Sequence, residues 1–248
     1  MALRHARPWL VAPGRARAFG KGALRGRRAH PLRVFTGIVQ GQCAVSSAAK
    51  AESGESMALT MQFPEGALEG LETGASVAIN GACLTAVDID AEAATCRFDV
   101  IVETLRATNL GDLAEGSNAN FERAAKIGDE IGGHNVSGHV NCVAEVVDVQ
   151  TTEDNRRIEF ALPSSLGKYV FPKGYVAVDG TSLTVGEVTR GGEGGSDTFS
   201  VYLIPETLRV TTLGERGEGG RVNIELDSAT VAIVDTVERV LAERETVA

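Results

Sequence analysis

Two copies of one nine-residue segment constrain the fold of this chain more than any other feature. VAINGACLT occupies residues 77–85 and VAVDGTSLT occupies residues 176–184, with the same alternation of apolar and other residues around a shared glycine. Residues 103–122 also align without gaps on residues 206–225, with 11 identities in 20 positions. Because a period of about 100 residues is too long for a solenoid unit, the repeat predicts two homologous small domains in tandem.

Composition and charge exclude several classes of function. Aromatic residues make up only 5% of the chain, which argues against base-stacking platforms for nucleic acid. Residues 1–34 contain nine basic and no acidic residues, so the remainder contains 15 basic and 33 acidic residues, a net charge of −18. A body of that charge is a poor partner for nucleic acid. The sequence has no run of 18 apolar residues and therefore predicts no membrane span.

Residues 1–34 are rich in Arg, Ala, Gly and Pro and show no helical or strand periodicity, so we expect them to be disordered. Three interpretations remain open. The Arg excess and the absence of acidic residues fit a transit peptide to a plastid or other organelle, although the absence of Ser and Thr does not. Alternatively the segment is an extension upstream of a true start at Val34, in a cytoplasmic protein. The third interpretation is a basic tail that binds nucleic acid.

From residue 35 onward, short apolar runs alternate with turns such as Asn80-Gly81. This pattern indicates a closed small barrel or a sandwich in each copy, and residues 105–113 allow a short helix. We predict strands at residues 35–39, 76–79, 96–102 and 119–121 in the first copy and at residues 157–162, 175–178, 182–188, 199–204 and 221–226 in the second.

The two copies join near residues 132–133, where two glycines permit a tight bend. We place the first domain at residues 35–134 and the second at residues 135–227. In the C-terminal segment, residues 228–248, Val231, Val234, Val237 and Leu241 follow spacings of three and four. These spacings predict an amphipathic helix of about 17 residues, with Ser228 as its N-cap, that packs on its own domain or assembles with other subunits.

Two pockets of nearly the same shape would bind two similar molecules, and their differences would let one donate and the other accept. Each candidate also has a structural explanation. Cys83 is also explained as a small buried apolar residue, Ser182 as a strand residue and His139 as a turn residue. The differing pairs are Cys83 and Ser182, Asn80 and Asp179, Ile38 and His139, and Val102 and Pro205, whereas Thr85 and Thr184, and Glu103-Thr104 and Glu206-Thr207, are shared.

Metal and disulfide chemistry are disfavoured. His134 and His139 lack a third ligand for a metal site. The cysteines Cys43, Cys83, Cys96 and Cys142 form no CxxC pair, which favours reduced thiols.

Six ordered motifs resemble the riboflavin synthase alpha-chain family. They are FTGIVQG (35–41), NGACLT (80–85), ETLRATNLGDL (103–113), GGHNVSGHV (132–140), YVAVDGTSLTVGEV (175–188) and VYLIPETLR (201–209). The resemblance covers residue 35 to about residue 243. It implies an all-β fold of two homologous six-stranded Greek-key barrels in tandem, each binding a lumazine, plus a C-terminal helix through which three chains associate as a homotrimer.

The resemblance also implies a reaction. Two molecules of 6,7-dimethyl-8-ribityllumazine dismutate to riboflavin and 5-amino-6-ribitylaminouracil when one passes a four-carbon unit to the other, without cofactor or metal. The active site is expected between the first barrel of one subunit and the second barrel of its neighbour. Association with lumazine synthase is left open.

Site residues are assigned by position from the same resemblance. His139 is the leading candidate for proton transfer, with Ser182, Cys83, Ser76 and Asp227 as supporting candidates. The first pocket is expected to contain Gly37, Ile38, Val39, Cys83, Leu84, Thr85, Asp99, Val100, Ile101, Val102, Glu103, Thr104, Gly138, His139 and Val140. The second is expected to contain Lys173, Ser182, Leu183, Thr184, Ile204, Pro205, Glu206, Thr207, Leu208 and Arg209.

The main alternative is a non-catalytic antenna protein of the same fold that binds a lumazine or flavin. A purely structural double barrel is a third hypothesis. The polar pocket residues are kept in register in both copies, which favours an enzyme.

Overall fold

Both halves of the chain form closed antiparallel barrels in the computed structural model, which describes residues 34–191 and 195–247. The predicted all-β class with two six-stranded barrels is therefore confirmed. Apart from Val34, the segment that was interpreted as a transit peptide or extension lies outside the described residues.

The first barrel closes in the order β1-β2-β5-β4-β3-β6, so that the hairpin-linked strands β3, β4 and β5 lie beside β2, as in a Greek key. The short helix α1, Val102–Ala107, follows β5. The strands are β1 Gly41–Lys50, β2 Ser56–Gln62, β3 Ser76–Ile79, β4 Ala82–Asp90, β5 Thr95–Ile101 and β6 Asn118–Arg123.

The second barrel repeats this cyclic order with its own six strands. Two short helices, α2 Ser164–Gly167 and α3 Pro205–Val210, lie between strands, and α3 occupies the position of α1. The strands are β7 Cys142–Thr151, β8 Arg156–Leu162, β9 Tyr175–Val178, β10 Thr181–Thr189, β11 Asp197–Leu203 and β12 Arg221–Leu226.

Each barrel has its own core because alternate residues of a strand face opposite sides. In β8, Ile158, Phe160 and Leu162 point inward and are at most 1% exposed. Phe160 packs against Phe199 with ring centroids 5.3 Å apart. Full burial of such side chains stabilises the fold by about 1.5–3 kcal/mol each.

The predicted strand at residues 35–39 is wrong. Only Phe35 forms a single antiparallel bridge, to Val136, and the segment then crosses to the other half. The first strand begins later, at Gly41, where the sequence GQCAVSSAAK has little β-branched character. Residues 35–37 are held instead by hydrogen bonds to residues distant in the sequence, namely Val136, Glu122 and Ser182, which a local pattern does not show.

The two barrels meet at their Asn80-Gly81 and Asp179-Gly180 turns. All four residues have positive φ, between 43° and 81°, as type I′ hairpin turns require. A Cβ on Gly81 would lie 2.6 Å from the backbone nitrogen of Gly180, so the turns touch through bare backbone.

A buried polar network surrounds these turns. The Asn109 side-chain amide donates to the Asp179 carboxylate at 3.0 Å, and the Asn223 amide donates to the Asn80 carbonyl at 2.8 Å. The Asn120 amide donates to the Asp179 carbonyl at 2.9 Å. Buried polar groups favour the one arrangement that pairs them, because an unpaired group costs about 1–3 kcal/mol. The network therefore selects the orientation of one barrel on the other.

The C-terminal helix α4, Ser228–Val247, is longer than predicted and begins with a different cap. The Asp227 carboxylate, rather than Ser228, accepts the Thr230 N–H at 2.9 Å. Val231 packs on the second barrel, whereas Ile233, Val237 and Leu241 are 52–64% exposed. In the described part of the chain, no helix combines the length and apolar character that crossing a bilayer requires.

We predict that Asp179→Asn removes a pH dependence of stability between about pH 4 and pH 6. Asp179 is fully buried, and burial raises its pKa from 3.8 to about 6, although Arg216 lies 3.2 Å away. The folded protein then holds this proton more tightly than the unfolded chain does. The contribution of Asp179 to the free energy of unfolding is therefore largest below about pH 4 and is lost as the pH rises through about 6.

Denaturant titrations across this pH range measure the effect. Asp112→Asn is the matched control, because Asp112 also pairs with an arginine, Arg221, but is 53% exposed. A wild-type pH dependence in Asp179→Asn would contradict the prediction.

Candidate active site

Two buried glutamates hold the two crossing segments, which contain Thr36-Gly37 and Ser137-Gly138 and run from one barrel to the other. Glu122 in β6 accepts hydrogen bonds from the Thr36 N–H at 2.6 Å, the Thr36 hydroxyl at 2.9 Å and the Gly37 N–H at 3.0 Å. Glu225 in β12 accepts from the Ser137 N–H at 2.6 Å, the Ser137 hydroxyl at 2.8 Å and the Gly138 N–H at 2.9 Å. Burial raises the pKa of both carboxyls, and the hydrogen bonds oppose it.

Beyond these anchors, each segment contacts the opposite barrel. The Gly37 carbonyl accepts the Ser182 N–H at 2.8 Å, and the Gly138 carbonyl accepts the Cys83 N–H at 2.9 Å. A Cβ on Gly37 would lie 2.5 Å from the Ser182 Cβ, and one on Gly138 would lie 2.5 Å from the Cys83 Cβ. Both glycines have positive φ, +74° and +80°, so no other residue fits without strain.

Because the segments cross, one residue expected in the first pocket contacts the second barrel instead. The structure brings Gly138 next to Cys83, in the grouping expected for the first pocket. Gly37 was expected in that pocket as well, yet its carbonyl bonds to Ser182 of the second barrel. Each candidate site is thus built from both halves of the chain.

His134 is a residue that the sequence reasoning considered only as a metal ligand. Its Nδ1 lies 2.6 Å from the Ser182 hydroxyl oxygen, and its ring stacks on Tyr175 at 5.2 Å between centroids. Burial lowers the pKa of His134, against the opposing charge of Asp227. Among the described residues, none hydrogen-bonds to its buried Nε2. A neutral imidazole beside a hydroxyl is an arrangement suited to proton transfer.

The leading sequence candidate, His139, lies in a different setting. It follows Gly138 and is exposed, and its N–H donates to the Ser137 hydroxyl at 3.2 Å. It therefore lies on the segment that contacts Cys83, whereas His134 lies beside Ser182. One histidine thus lies beside Ser182, and the other directly follows the glycine that contacts Cys83, the residue aligned with Ser182.

Ser76 and Asp227 have structural contacts of their own. Ser76 is 5% exposed, and its carbonyl accepts the Ala124 N–H at 3.2 Å. Burial alone would raise the pKa of Asp227, but hydrogen bonds from Thr230 and the Ala229 N–H outweigh burial and lower it. These contacts explain both residues without a catalytic role, which stays a prediction.

A cavity of about 420 Å³ opens beside the second barrel. Of the predicted residues, Lys173 and Thr184 line it. Glu187 and Tyr202 line it as well, although the sequence did not indicate them as site residues. A comparison of aligned positions in the two copies would have indicated both.

The other predicted residues fall into three groups. Leu84, Val100 and Leu183 belong to the barrel cores, so their side chains pack inward. Ile101 and Ile204 take equivalent positions before α1 and α3 and are 61% and 62% exposed. Val39 is also buried. The half-buried residues are Val102, Thr104, Val140, Thr207 and Leu208. The remaining residues are exposed: Ile38, Thr85, Asp99, Glu103, Pro205, Glu206 and Arg209.

Among the described residues, no group of three or more His, Cys, Asp or Glu side chains is arranged to hold a metal ion. Burial raises the pKa of Cys43 to about 12 and that of Cys142 to about 11, so these thiols stay protonated.

Similarity to known proteins agrees with this architecture. The family described as "Lumazine binding domain" matches residues 36–124 and again residues 137–227. Riboflavin synthase of Escherichia coli (strain K12) is 52% identical over 213 residues, covering 86% of this chain and 95% of that protein. Riboflavin synthase of Chlamydia pneumoniae is 43% identical over 211 residues, covering 84% and 98%.

Among solved structures, LumP complexed with 6,7-dimethyl-8-(1'-D-ribityl) lumazine aligns with a TM-score of 0.68 and 24% identity, covering 77% of this chain and 98% of that one. LumP complexed with riboflavin aligns with a TM-score of 0.70 at the same identity and coverage. At this identity the likeness supports the fold alone.

We predict that Gly138→Ala destabilises the protein by about 3 kcal/mol or more, because a left-handed backbone costs about 1–2 kcal/mol and an overpacked contact with Cys83 about 1–3 kcal/mol. Gly116→Ala is the matched control, because Gly116 also has positive φ, +84°, but has nothing within 4 Å of an added Cβ. Its cost should be about 1–2 kcal/mol. Urea denaturation compares the two, and equal losses would contradict the close packing of Gly138 on Cys83.

Proposed function

We propose that this chain, which belongs to the riboflavin synthase family, converts two molecules of 6,7-dimethyl-8-ribityllumazine into riboflavin and 5-amino-6-ribitylaminouracil. One molecule passes a four-carbon unit to the other. The observation that carries the proposal is the double match to the lumazine-binding domain in a chain 52% identical to a named riboflavin synthase. Two related barrels suit a reaction that joins two identical molecules.

Positioning supplies much of the catalysis in this proposal. Holding two reactants in the geometry of reaction removes about 7–11 kcal/mol from the barrier at best. The crossing segments fix Ser182 and Cys83 against rigid backbone, which keeps both sites in register. Bound lumazines would therefore meet preformed sites.

A proton must also leave the methyl group on carbon 7 of one lumazine, which leaves a carbanion on that molecule. Ser182 and His134 are the pair that the geometry best supports for this step, since their atoms lie 2.6 Å apart. A neutral His134 can take a proton through Ser182 and return it later. His139, Cys83, Ser76 and Asp227 stay candidates for proton transfer or for stabilising the anion.

The subunit arrangement is part of the proposal. The exposed apolar residues of α4, Ile233, Val237 and Leu241, are suited to packing against the same helix of two other chains in a homotrimer. The first barrel of one subunit would then face the second barrel of its neighbour, and each reaction would use one lumazine from each. Lumazine synthase remains a candidate partner, and residues 1–34 a candidate transit peptide to a plastid.

Incubating the full chain with the lumazine and following flavin absorbance tests the function. Formation of riboflavin and the ribitylaminouracil in equal amounts is the expected result. Bound lumazine fluorescence without new flavin would favour the antenna protein instead. If the chain neither binds the lumazine nor forms flavin, only the hypothesis of a structural double barrel is left.

We predict that His134→Gln lowers kcat by about 100-fold, as expected for loss of a general base. Because burial lowers the pKa of His134 below 6.5, the wild-type imidazole stays neutral into mildly acidic solution. The acid limb of the kcat profile should therefore lie below about pH 6.5. Ser182→Ala should cost a similar factor, and the double variant little more, because the two residues act as a unit.

Steady-state assays across this pH range make the comparison. Asn135→Ala is the control, since Asn135 is the exposed neighbour of His134. A His134→Gln variant with the kcat of the wild type would exclude His134 from proton transfer.

A further inference from the structure

The cavity beside the second barrel is built by coordinated differences between the two copies. The hairpin turns align β4 with β10, and the starts of α1 and α3 align β5 with β11. In this alignment, second-copy residues replace first-copy residues as follows: Lys173 for Gly74, Gly186 for Val87, Glu187 for Asp88, Ser200 for Arg97 and Tyr202 for Asp99.

Gly186 is what allows the Tyr202 ring to lie where it does. A Cβ on Gly186 would be 2.6 Å from the Ser200 hydroxyl oxygen and 3.0 Å from Cε2 of Tyr202. At the aligned positions the first copy has Val87 in place of Gly186 and Asp99 in place of the aromatic Tyr202. The aromatic wall therefore belongs to the second copy alone.

Lys173 occupies a backbone conformation that disfavours it. Its φ is +70°, and its first-copy counterpart Gly74 has a φ of +89°. Both N–H groups donate to the strand that follows, at 2.9 Å for Lys173 and 2.8 Å for Gly74. A non-glycine residue in this region is strained, and such strain is often found at functional sites. The second copy therefore keeps a cation in its cavity despite the strain.

Glu187 fixes the Tyr202 hydroxyl. That hydroxyl donates to the two carboxylate oxygens at 3.0 and 3.2 Å, and the buried Ser200 hydroxyl donates to the same carboxylate. The Glu187 N–H donates to the Ser200 hydroxyl oxygen at 3.0 Å, and Nε of Arg157 lies 3.6 Å from Oε2 of Glu187. Hydrogen bonds, that of Ser200 first, lower the pKa of Glu187 to about 2, so it is charged at neutral pH.

We propose that Tyr202 and Glu187, together with Lys173, bind the hydroxylated side chain of the lumazine in the second barrel. The proposal rests on the function given above. A polyol offers both donors and acceptors, which match a carboxylate and an ammonium in one cavity. A carboxylate has about four acceptor sites, so a ligand hydroxyl can join those of Tyr202 and Ser200. The Tyr202 ring, 48% exposed, offers an apolar face to the carbon chain.

Two ligands separate recognition of the side chain from recognition of the ring system. Fluorescence titrations of the full chain use 6,7-dimethyl-8-ribityllumazine and 6,7,8-trimethyllumazine, which has the same ring without the polyol. We expect Glu187→Gln and Tyr202→Ala to weaken the ribityl compound about tenfold at one of the two classes of site, the effect of losing one charged hydrogen bond. Binding of the trimethyl compound should change less than about twofold.

Asp148→Asn is the matched control, because Asp148 holds the other side of Arg157 at 2.9 Å and does not line the cavity. It should leave both ligands unchanged. Equal weakening of both ligands in Glu187→Gln, or no weakening of either, would overturn the assignment. If the wild type binds no lumazine and forms no flavin, the proposed function fails as well, whereas normal wild-type turnover with unaffected variants overturns this inference alone.

Discussion

The exchange of short segments between the two barrels is the interaction on which the candidate sites depend. Glu122 and Glu225 each accept three hydrogen bonds from the segment that begins their own copy. The next residues reach across, so that Gly37 meets Ser182 and Gly138 meets Cys83. Neither half alone contains a complete set of these contacts. The duplicated chain is therefore one functional unit rather than two independent modules.

The polar contact between the barrels gives this exchange a single geometry. A small apolar cluster of Phe35, Ala78, Val136 and Ala177 lies between the halves. Around the two turns the contact is made by buried amides and Asp179 instead. Apolar surfaces tolerate sliding, whereas buried hydrogen bonds lose free energy when displaced. Gly81 and Gly180 then allow the backbones to approach, and the crossing segments arrive in register.

Comparison of the copies predicted the repeat and local spacing predicted the helix, whereas the local pattern left a barrel or a sandwich open and the two six-stranded barrels were implied by the family resemblance. The strand at residues 35–39 was wrong because hydrogen bonds to residues distant in the sequence, Glu122 in its own copy and Val136 and Ser182 in the other, decide its conformation. His134 was missed as a partner of Ser182 because the two are 48 residues apart and belong to no shared motif. Ser228 was preferred to Asp227 as a cap because both residue types suit that position. Tertiary contacts therefore account for most of the differences.

The symmetry and the asymmetry of the structure fall in different places. The anchoring glutamates, the crossing glycines and the turns are matched between the copies almost atom for atom, because they build the frame. The differences concentrate where ligands would lie. In the second copy Ser182 lies beside His134, whereas the aligned residue of the first copy is Cys83. A reaction between two identical molecules requires that they be treated differently, since one must lose what the other gains. A symmetric frame with unequal walls satisfies both requirements, because the frame gives the two sites of a chain one common geometry and the unequal walls give each site its own role.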